Sequence, residues 1–187
     1  MVLGLFRRRG AETEAAPTSS ELRLEATQDS DMVPVPVARR AEAPSPLLWQ
    51  NTAYGMTVEE VLATRPDAAP SGDRQMLHNG AVSELRIPTL RLAEHDYSVL
   101  FYFLHGSLSQ VTIATRGGPT LNDFHAVANA LRLRYGREVS FKENPTSFST
   151  GEWLSADGIN VVIAFHGEID CLNINFQYRY ADAATQL

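Results

Sequence analysis

The clearest alternation of apolar and polar positions lies near the end of the chain. Apolar residues occupy every second position from Leu172 to Tyr178, and the positions between them are mostly polar. A period of two residues predicts a strand with one face buried in a core and the other face in solvent. The face expected in solvent carries Cys171, Asn173, Asn175, Gln177 and Arg179.

A second strand is predicted over residues 97–104, where both sets of alternating positions are apolar or aromatic. Such a strand should be central in its sheet or covered on both faces. His105-Gly106 then predicts a two-residue turn, because Gly and His tolerate positive φ. The broken alternation between Leu108 and Val111 predicts a β-bulge in the returning strand. Another bulge or an edge strand is predicted at Pro88.

Two helices are predicted from their caps. Thr57 with Glu60, and Thr120 with Asp123, have the spacing of an N-cap residue and its capping-box partner. Pro66 should end the first helix, and Gly136 should end the second, over about residues 121–135. The second helix has one apolar face, formed by Phe124, Val127, Ala128, Leu131 and Tyr135. A smaller opposite patch, formed by Ala126, Ala130 and Leu133, predicts a contact beyond its own sheet.

Much of this pattern occurs twice in the chain. Asp96, His105-Gly106, Leu108, Val111 and Ile113 have counterparts 61 residues later in Asp157, His166-Gly167, Ile169, Leu172 and Ile174. The helix starts at Gly55 and Gly118 match at an offset of 63. We therefore predict an α+β fold, a tandem α-β-β-β repeat forming an antiparallel sheet with two helices on one face. The half-repeats would span about residues 47–116 and 117–187. The alternative is that no duplication occurred, because capped helices and hairpins have similar sequences in unrelated segments.

The first part of the chain has a different composition. Residues 10–46 are rich in Pro, Ser, Thr and Ala and contain no aromatic residue. We predict that residues 1–46 form a disordered tail and that residues 47–187 form a single domain. In residues 1–9 the charge follows the apolar stretch, the reverse of a secretory signal. A solvated tip is favoured there, and contact with an anionic membrane is the alternative.

The net charge and the cysteine content limit the classes of function that the chain can have. The net charge of −6 argues against a nucleic-acid surface, which would need clustered Lys and Arg. The single cysteine, Cys171, provides neither an intramolecular disulfide nor a Cys-based zinc site. A cytoplasmic location is expected. One lysine among sixteen Lys and Arg suggests a GC-rich, bacterial genome.

Motifs of catalysis are missing. The chain contains no GxSxG, SxxK, HExxH or phosphate-binding GxxxxGK[ST] pattern. Turn geometry accounts for both His105 and His166, and no further ligands stand near them. Cys171 has no sequence neighbour that would lower its pKa. We therefore expect no catalytic residues, no metal and no cofactor.

The remaining candidate is the exposed sheet face. Asn173, Asn175, Gln177 and Arg179, beside Leu100 and Tyr102 from the first half, would form a flat surface rich in amides. Aromatic and Arg anchors among hydrogen-bonding groups are typical of protein recognition. The alternative is that these are ordinary exposed strand positions.

Two families resemble parts of this pattern. Residues 55–61, GMTVEEV, resemble the G-M-T-x-x-x-V start of SmpA/OmlA-type outer-membrane assembly lipoproteins. The tandem relatives of these, the β-lactamase inhibitory proteins, are likewise built from repeated α+β units. The chain departs from the lipoprotein pattern because it has neither a signal peptide nor a lipid-accepting cysteine. The predicted element order and acidic pI are similar to those of type III secretion chaperones, small dimers that bind partner segments.

Together these features predict a non-catalytic protein-binding module, chaperone-like or inhibitor-like, with a flexible N-terminal tether. A protein partner is expected, and homodimerisation stays open. The alternatives are a small-ligand or lipid-binding domain and an enzyme of unrecognised type.

Overall fold

The computed structural model describes residues 45–92, 94–115, 117–144 and 147–179. Apart from Ser45 and Pro46, the tail predicted for residues 1–46 lies outside these ranges, as does the membrane contact predicted for residues 1–9. The strands are β1 (Leu47–Trp49), β2 (Thr52–Ala53), β3 (Ala69–Pro70), β4 (Val82–Leu92), β5 (His95–Leu104), β6 (Ser107–Thr115), β7 (Ser140–Lys142), β8 (Phe148–Leu154), β9 (Ile159–His166) and β10 (Cys171–Tyr178). The helices are α1 (Val58–Thr64) and α2 (Leu121–Tyr135).

Both helices begin at the predicted caps. The Thr57 hydroxyl accepts from the Glu60 N–H at 3.3 Å, and the Glu60 carboxylate accepts from the Thr57 N–H at 2.8 Å. Thr120 and Asp123 repeat this reciprocal arrangement at the start of α2. Such pairs satisfy N–H groups that a helix leaves without partners in its first turn. Gly136 ends α2 with a φ of 80°, as predicted.

Replacing Thr120 by alanine is expected to lower the free energy of unfolding by about 1 kcal/mol, the usual cost of losing an N-cap. Its hydroxyl accepts from the Asp123 N–H and donates to the Asp123 carboxylate at 2.7 Å. Urea unfolding of the Thr120→Ala and Thr120→Ser variants measures the effect. Serine restores both hydrogen bonds, so an equal loss in the two variants would contradict this explanation.

The fold is α+β, with one large antiparallel sheet and two helices. The eight strands of the sheet run in the order β3-β4-β5-β6-β10-β9-β8-β7. The prediction of three strands per half was wrong, because β3 and β7 add a short outer strand on each side. β3 has two residues, including Pro70, and β7 has three, ending in Lys142. The composition of residues 142–153 predicts a loop, but the second part of this segment is strand, since β8 begins at Phe148.

The first hairpin agrees with its prediction. β5 and β6 turn at His105 and Gly106, which have φ values of 51° and 80°. Leu104 pairs with Ser107 across this two-residue turn. The predicted bulge lies at Ser109 of β6, because Tyr102 pairs with Gln110 and Phe103 pairs with Leu108. The bulge predicted near Pro88 is confirmed by a register shift between Ile87 and Leu90 in β4.

The second hairpin does not turn at His166-Gly167, and this prediction was wrong. His166 is the last residue of β9 and pairs with Cys171, so the turn covers residues 167–170. A two-residue turn would pair Phe165 with Glu168 on the buried face, and would bring Asp170 to that face too. Unpaired buried carboxylates are costly, so the observed register leaves both acids exposed. The repeat also predicts a bulge between Ile169 and Leu172, and this prediction was wrong, because β9 and β10 pair without a register shift.

One face of the sheet carries the hydrophobic core. Val61 of α1 and Phe124 of α2 join the same buried cluster as Val99, Val111 and Ile174 of the sheet, so both helices lie over this face. The β1–β2 hairpin covers the same face, where the rings of Trp49 and Phe101 are 6.2 Å apart. The far side of α2 is in solvent, with Leu133 91% exposed. No described helix combines the length and apolar character that a membrane crossing needs.

Candidate functional site

The strand pairing arranges the side of the sheet opposite the two helices, here called the open face, in rows across the strands. Leu100 pairs with Thr112, and Thr112 pairs with Asn175. Tyr102 and Gln177 share the next row, joined through Gln110. The predicted alternation of β10 is therefore present, because Asn173, Asn175 and Gln177 face away from the core.

A groove of about 560 Å³ lies on this face. Its floor includes Ser98, Ala114 and Asn173, which form one cross-strand row. Two of these side chains are small, so the surface is recessed between taller neighbours. Gln75, Leu77, Arg86, Pro88, Leu100 and Tyr102 line one end, and His166, Ile169 and Cys171 line the other. We call this the open-face groove.

A loop folds over one end of the groove. The Tyr102 hydroxyl donates to the Gln75 side-chain oxygen at 3.1 Å. The Gln75 N–H donates to the Ser83 hydroxyl at 2.8 Å, and the Ser83 N–H donates back to the Gln75 carbonyl at 2.8 Å. Tyr102 is consequently buried, and burial raises the pKa of its phenol. The turn residues between 67 and 80 predict a loop here, but they give no sign that Gln75 contacts Tyr102.

The amides at the groove centre are held in fixed orientations. Asn175 Oδ1 accepts from the Thr112 hydroxyl at 2.8 Å and from Gln110 Nε2 at 3.4 Å. Asn173 Oδ1 accepts from the Cys171 thiol at 3.4 Å. Each side-chain oxygen is thus occupied, and neither NH₂ group donates to any described residue. The groove therefore presents two amide donors without acceptors.

Arg86 is the cation of the groove that lacks a counterion. It is half-buried in β4, and no described residue accepts a hydrogen bond or forms an ion pair with its guanidinium. The other described Arg residues that are at least half-buried are paired, Arg65 with Asp67 at 2.6 Å and Arg132 with Glu138 at 2.9 Å. Partial burial of an unpaired charge is costly. Sequence reasoning missed Arg86, because pairing depends on tertiary neighbours.

Four of the six residues predicted for the binding surface line the groove: Leu100, Tyr102, Asn173 and Asn175. Gln177 lies on the same face, outside the groove lining. Arg179 is exposed one residue beyond β10, where its backbone N–H donates to the Gly158 carbonyl at 3.0 Å. The structure thus brings the first four together and leaves the last two apart from them.

The histidines have different surroundings. His105 is exposed at its turn, whereas His166 lies at the groove rim with its ring 4.4 Å from that of Phe148. His166 is also the cross-strand neighbour of Cys171, a relation that sequence distance hides. His95 is the first residue of β5 and lies 3.1 Å from the Asp123 carboxylate. Within the part of the chain that the structure describes, no His, Cys, Asp and Glu residues form a group of three or more able to hold a metal ion.

The resemblances of residues 55–61 and of the element order stay predictions. No protein-family model, curated protein or solved structure matches this chain.

Proposed function

We propose that the chain is a non-catalytic protein-binding module, chaperone-like or inhibitor-like, and that the open-face groove is its binding surface. The observation that carries this proposal is the composition of the groove. Leu100 and Pro88 offer apolar contact, while Asn173 and Asn175 offer amide donors without acceptors. Apolar anchors beside hydrogen-bonding groups are what protein-recognition surfaces combine.

We also propose that the two halves arose by duplication of one unit, a helix followed by four strands of the sheet. The sheet order supports this, since β6-β5-β4-β3 and β10-β9-β8-β7 run outwards from the centre. Ile113 and Ile174, 61 residues apart, are direct partners at that centre. In each half, a helix that starts at a capping box precedes the strands of the large sheet. The second hairpin departs from this symmetry through its different turn.

Residues 1–46 are proposed as a tether without a role in partner binding, and a second copy of the chain is one candidate partner. If the tether has no binding role, a chain lacking residues 1–46 keeps the partners of the full chain. Analytical ultracentrifugation distinguishes a homodimer from a hetero-complex.

The proposal predicts that filling the groove abolishes partner binding. Ala114 lies on the groove floor, so Ala114→Phe should occupy the recess while leaving the core face unchanged. Asn175→Arg adds a long charged side chain at the groove centre. Both variants are expected to lose at least about tenfold in affinity, as loss of central interface contacts usually costs.

Each full-length variant is immobilised and incubated with lysate of the native host, and every captured protein is quantified. Asn122→Arg, at an exposed position of α2, is the matched control for Asn175→Arg. Far-UV circular dichroism and thermal unfolding confirm that all variants fold. The expected result is a set of proteins bound by the wild type and the control but lost from both groove variants. Retention of the same set by Ala114→Phe would refute the open-face proposal.

A small-molecule ligand is the second candidate, favoured by the groove volume, which lies within the 300–1,000 Å³ typical of such sites. A ligand that co-purifies with the wild type, but not with Ala114→Phe, would favour this candidate over the protein-binding role. Native mass spectrometry makes the comparison.

A further inference from the structure

We infer that the open-face groove binds an extended acidic peptide segment, with one Asp or Glu side chain of the peptide on Arg86. This inference rests on the proposed function and adds the chemistry of the partner to it. Three observations lead to it: an uncompensated cation, two amide donors, and the distance that separates them.

The first observation is the state of Arg86. Arg86 is a half-buried residue, and its guanidinium meets no acceptor among the described residues. The acidic residue that also lines the groove, Asp96, is already paired with Arg91 at 3.0 Å. A guanidinium matches a carboxylate through two parallel hydrogen bonds, and pairing would offset its partial desolvation. The charge missing from this end of the groove is therefore a carboxylate.

The second observation concerns the donors at the groove centre. The side-chain oxygens of Asn173 and Asn175 are occupied by Cys171 and Thr112, so their NH₂ groups are left to donate outwards. Backbone carbonyls of an extended peptide are suitable acceptors for such groups. A ligand with several carbonyls along its length would use both amides at once.

The third observation sets the length of the ligand. Arg86, Leu100, Thr112 and Asn175 form one cross-strand row, in which Arg86 and Asn175 are three strand spacings apart. At about 4.8 Å per spacing, this separation is roughly 14 Å. An extended chain advances about 3.3 Å per residue, so about four to five residues span it. A small carboxylic acid is too short to contact both Arg86 and Asn175.

The charge of the protein limits the ligand further. The whole chain has a net charge of −6, and one unpaired Arg suits one carboxylate better than a polyanion. We therefore infer a peptide with a single acidic side chain at one end of the contact, rather than a nucleic acid or a highly acidic tract.

The test measures fluorescence anisotropy of labelled, N-acetylated and C-amidated pentapeptide pools with the full-length protein. One pair of pools carries Glu at the first or the fifth position, with Ala, Ser, Leu and Val mixed elsewhere. The matched pair carries Gln instead of Glu. One of the Glu pools is expected to bind at least about tenfold tighter than its Gln counterpart, as charge-assisted hydrogen bonds require.

Variants of the protein test whether Arg86 causes the preference for Glu over Gln. Arg86→Gln should reduce the preference for Glu to less than about twofold, because the charge is gone while hydrogen bonding remains. Arg134→Gln, at an exposed position of α2, is the matched control and should keep the full preference. Ala114→Phe should weaken all pools. N-acetylglutamate amide should bind at least about a hundredfold more weakly than the Glu pentapeptides, since it reaches only Arg86.

The outcomes separate this inference from the proposed function. Equal binding of Glu and Gln pools, or no binding of either, would overturn the acidic-peptide inference. The protein-binding proposal stands in either case if lysate partners still depend on the groove. A preference for Glu that survives Arg86→Gln would also overturn the acidic-peptide inference. N-acetylglutamate amide binding as tightly as the pentapeptides would replace the peptide with a small carboxylate ligand.

Discussion

Replacement of Trp153 by alanine is expected to lower the free energy of unfolding by about 3–5 kcal/mol, the usual cost of truncating a fully buried large aromatic residue. Trp153 is fully buried in β8. Its indole N–H donates to the Gly136 carbonyl at 3.1 Å, which joins the sheet to the C-terminal end of α2. The loss therefore combines a large cavity with a broken connection between two elements. Urea unfolding followed by far-UV circular dichroism measures it.

The Trp153→Phe variant separates the two contributions. Phenylalanine keeps most of the apolar contact but removes the donor to Gly136, so we expect a clearly smaller loss than with alanine. The neighbouring Gly151 shows how closely the indole lies, because an added Cβ there would be 2.8 Å from the ring. A loss below about 1 kcal/mol in Trp153→Ala would contradict the assigned packing.

Replacement of Phe124 by alanine is expected to cost a similar 3–5 kcal/mol. Phe124 is the fully buried anchor of α2, with its ring centroid 5.5 Å from Phe141 and 6.5 Å from Phe165. Without it the helix would lose much of its apolar contact with the sheet. Urea unfolding again gives the free energy.

Leu133→Ala on the same helix is the matched control. Leu133 is almost fully exposed, so its truncation should change the free energy of unfolding by no more than about 0.5 kcal/mol. If the two variants were equally destabilised, α2 would not be packed through the face that carries Phe124.

The sequence predicted the elements whose signals are local. The capping boxes at Thr57 and Thr120 and the alternation of β10 depend on near neighbours along the chain, and the structure has them. β3 was missed, because two residues are too few to show a period, whereas the alternation of Val139 and Phe141 predicts a strand where β7 forms. The position of the second turn was wrong because identical His-Gly pairs do not set strand register. The strand register is set by the need to keep acidic side chains out of the core.

The candidate site was predictable only in part. Asn173 and Asn175 follow from the alternation of one strand, and strand pairing then places Leu100 beside them. Gln75 and Arg86 were missed for a different reason. A loop that folds across a sheet, and a cation that lacks a counterion, are properties of tertiary neighbours, which no single segment encodes.

The two short outer strands also bear on how the protein behaves at high concentration. A long exposed edge strand would offer its unpaired backbone groups to a strand of another chain. Repeated pairing of this kind leads to fibrils. Here β3 offers two residues, one of them Pro70 without an N–H, and β7 offers three that end in Lys142. Edge strands this short resist pairing with a ninth strand from another chain. Concentrated solutions should therefore stay clear and fail to bind amyloid dyes.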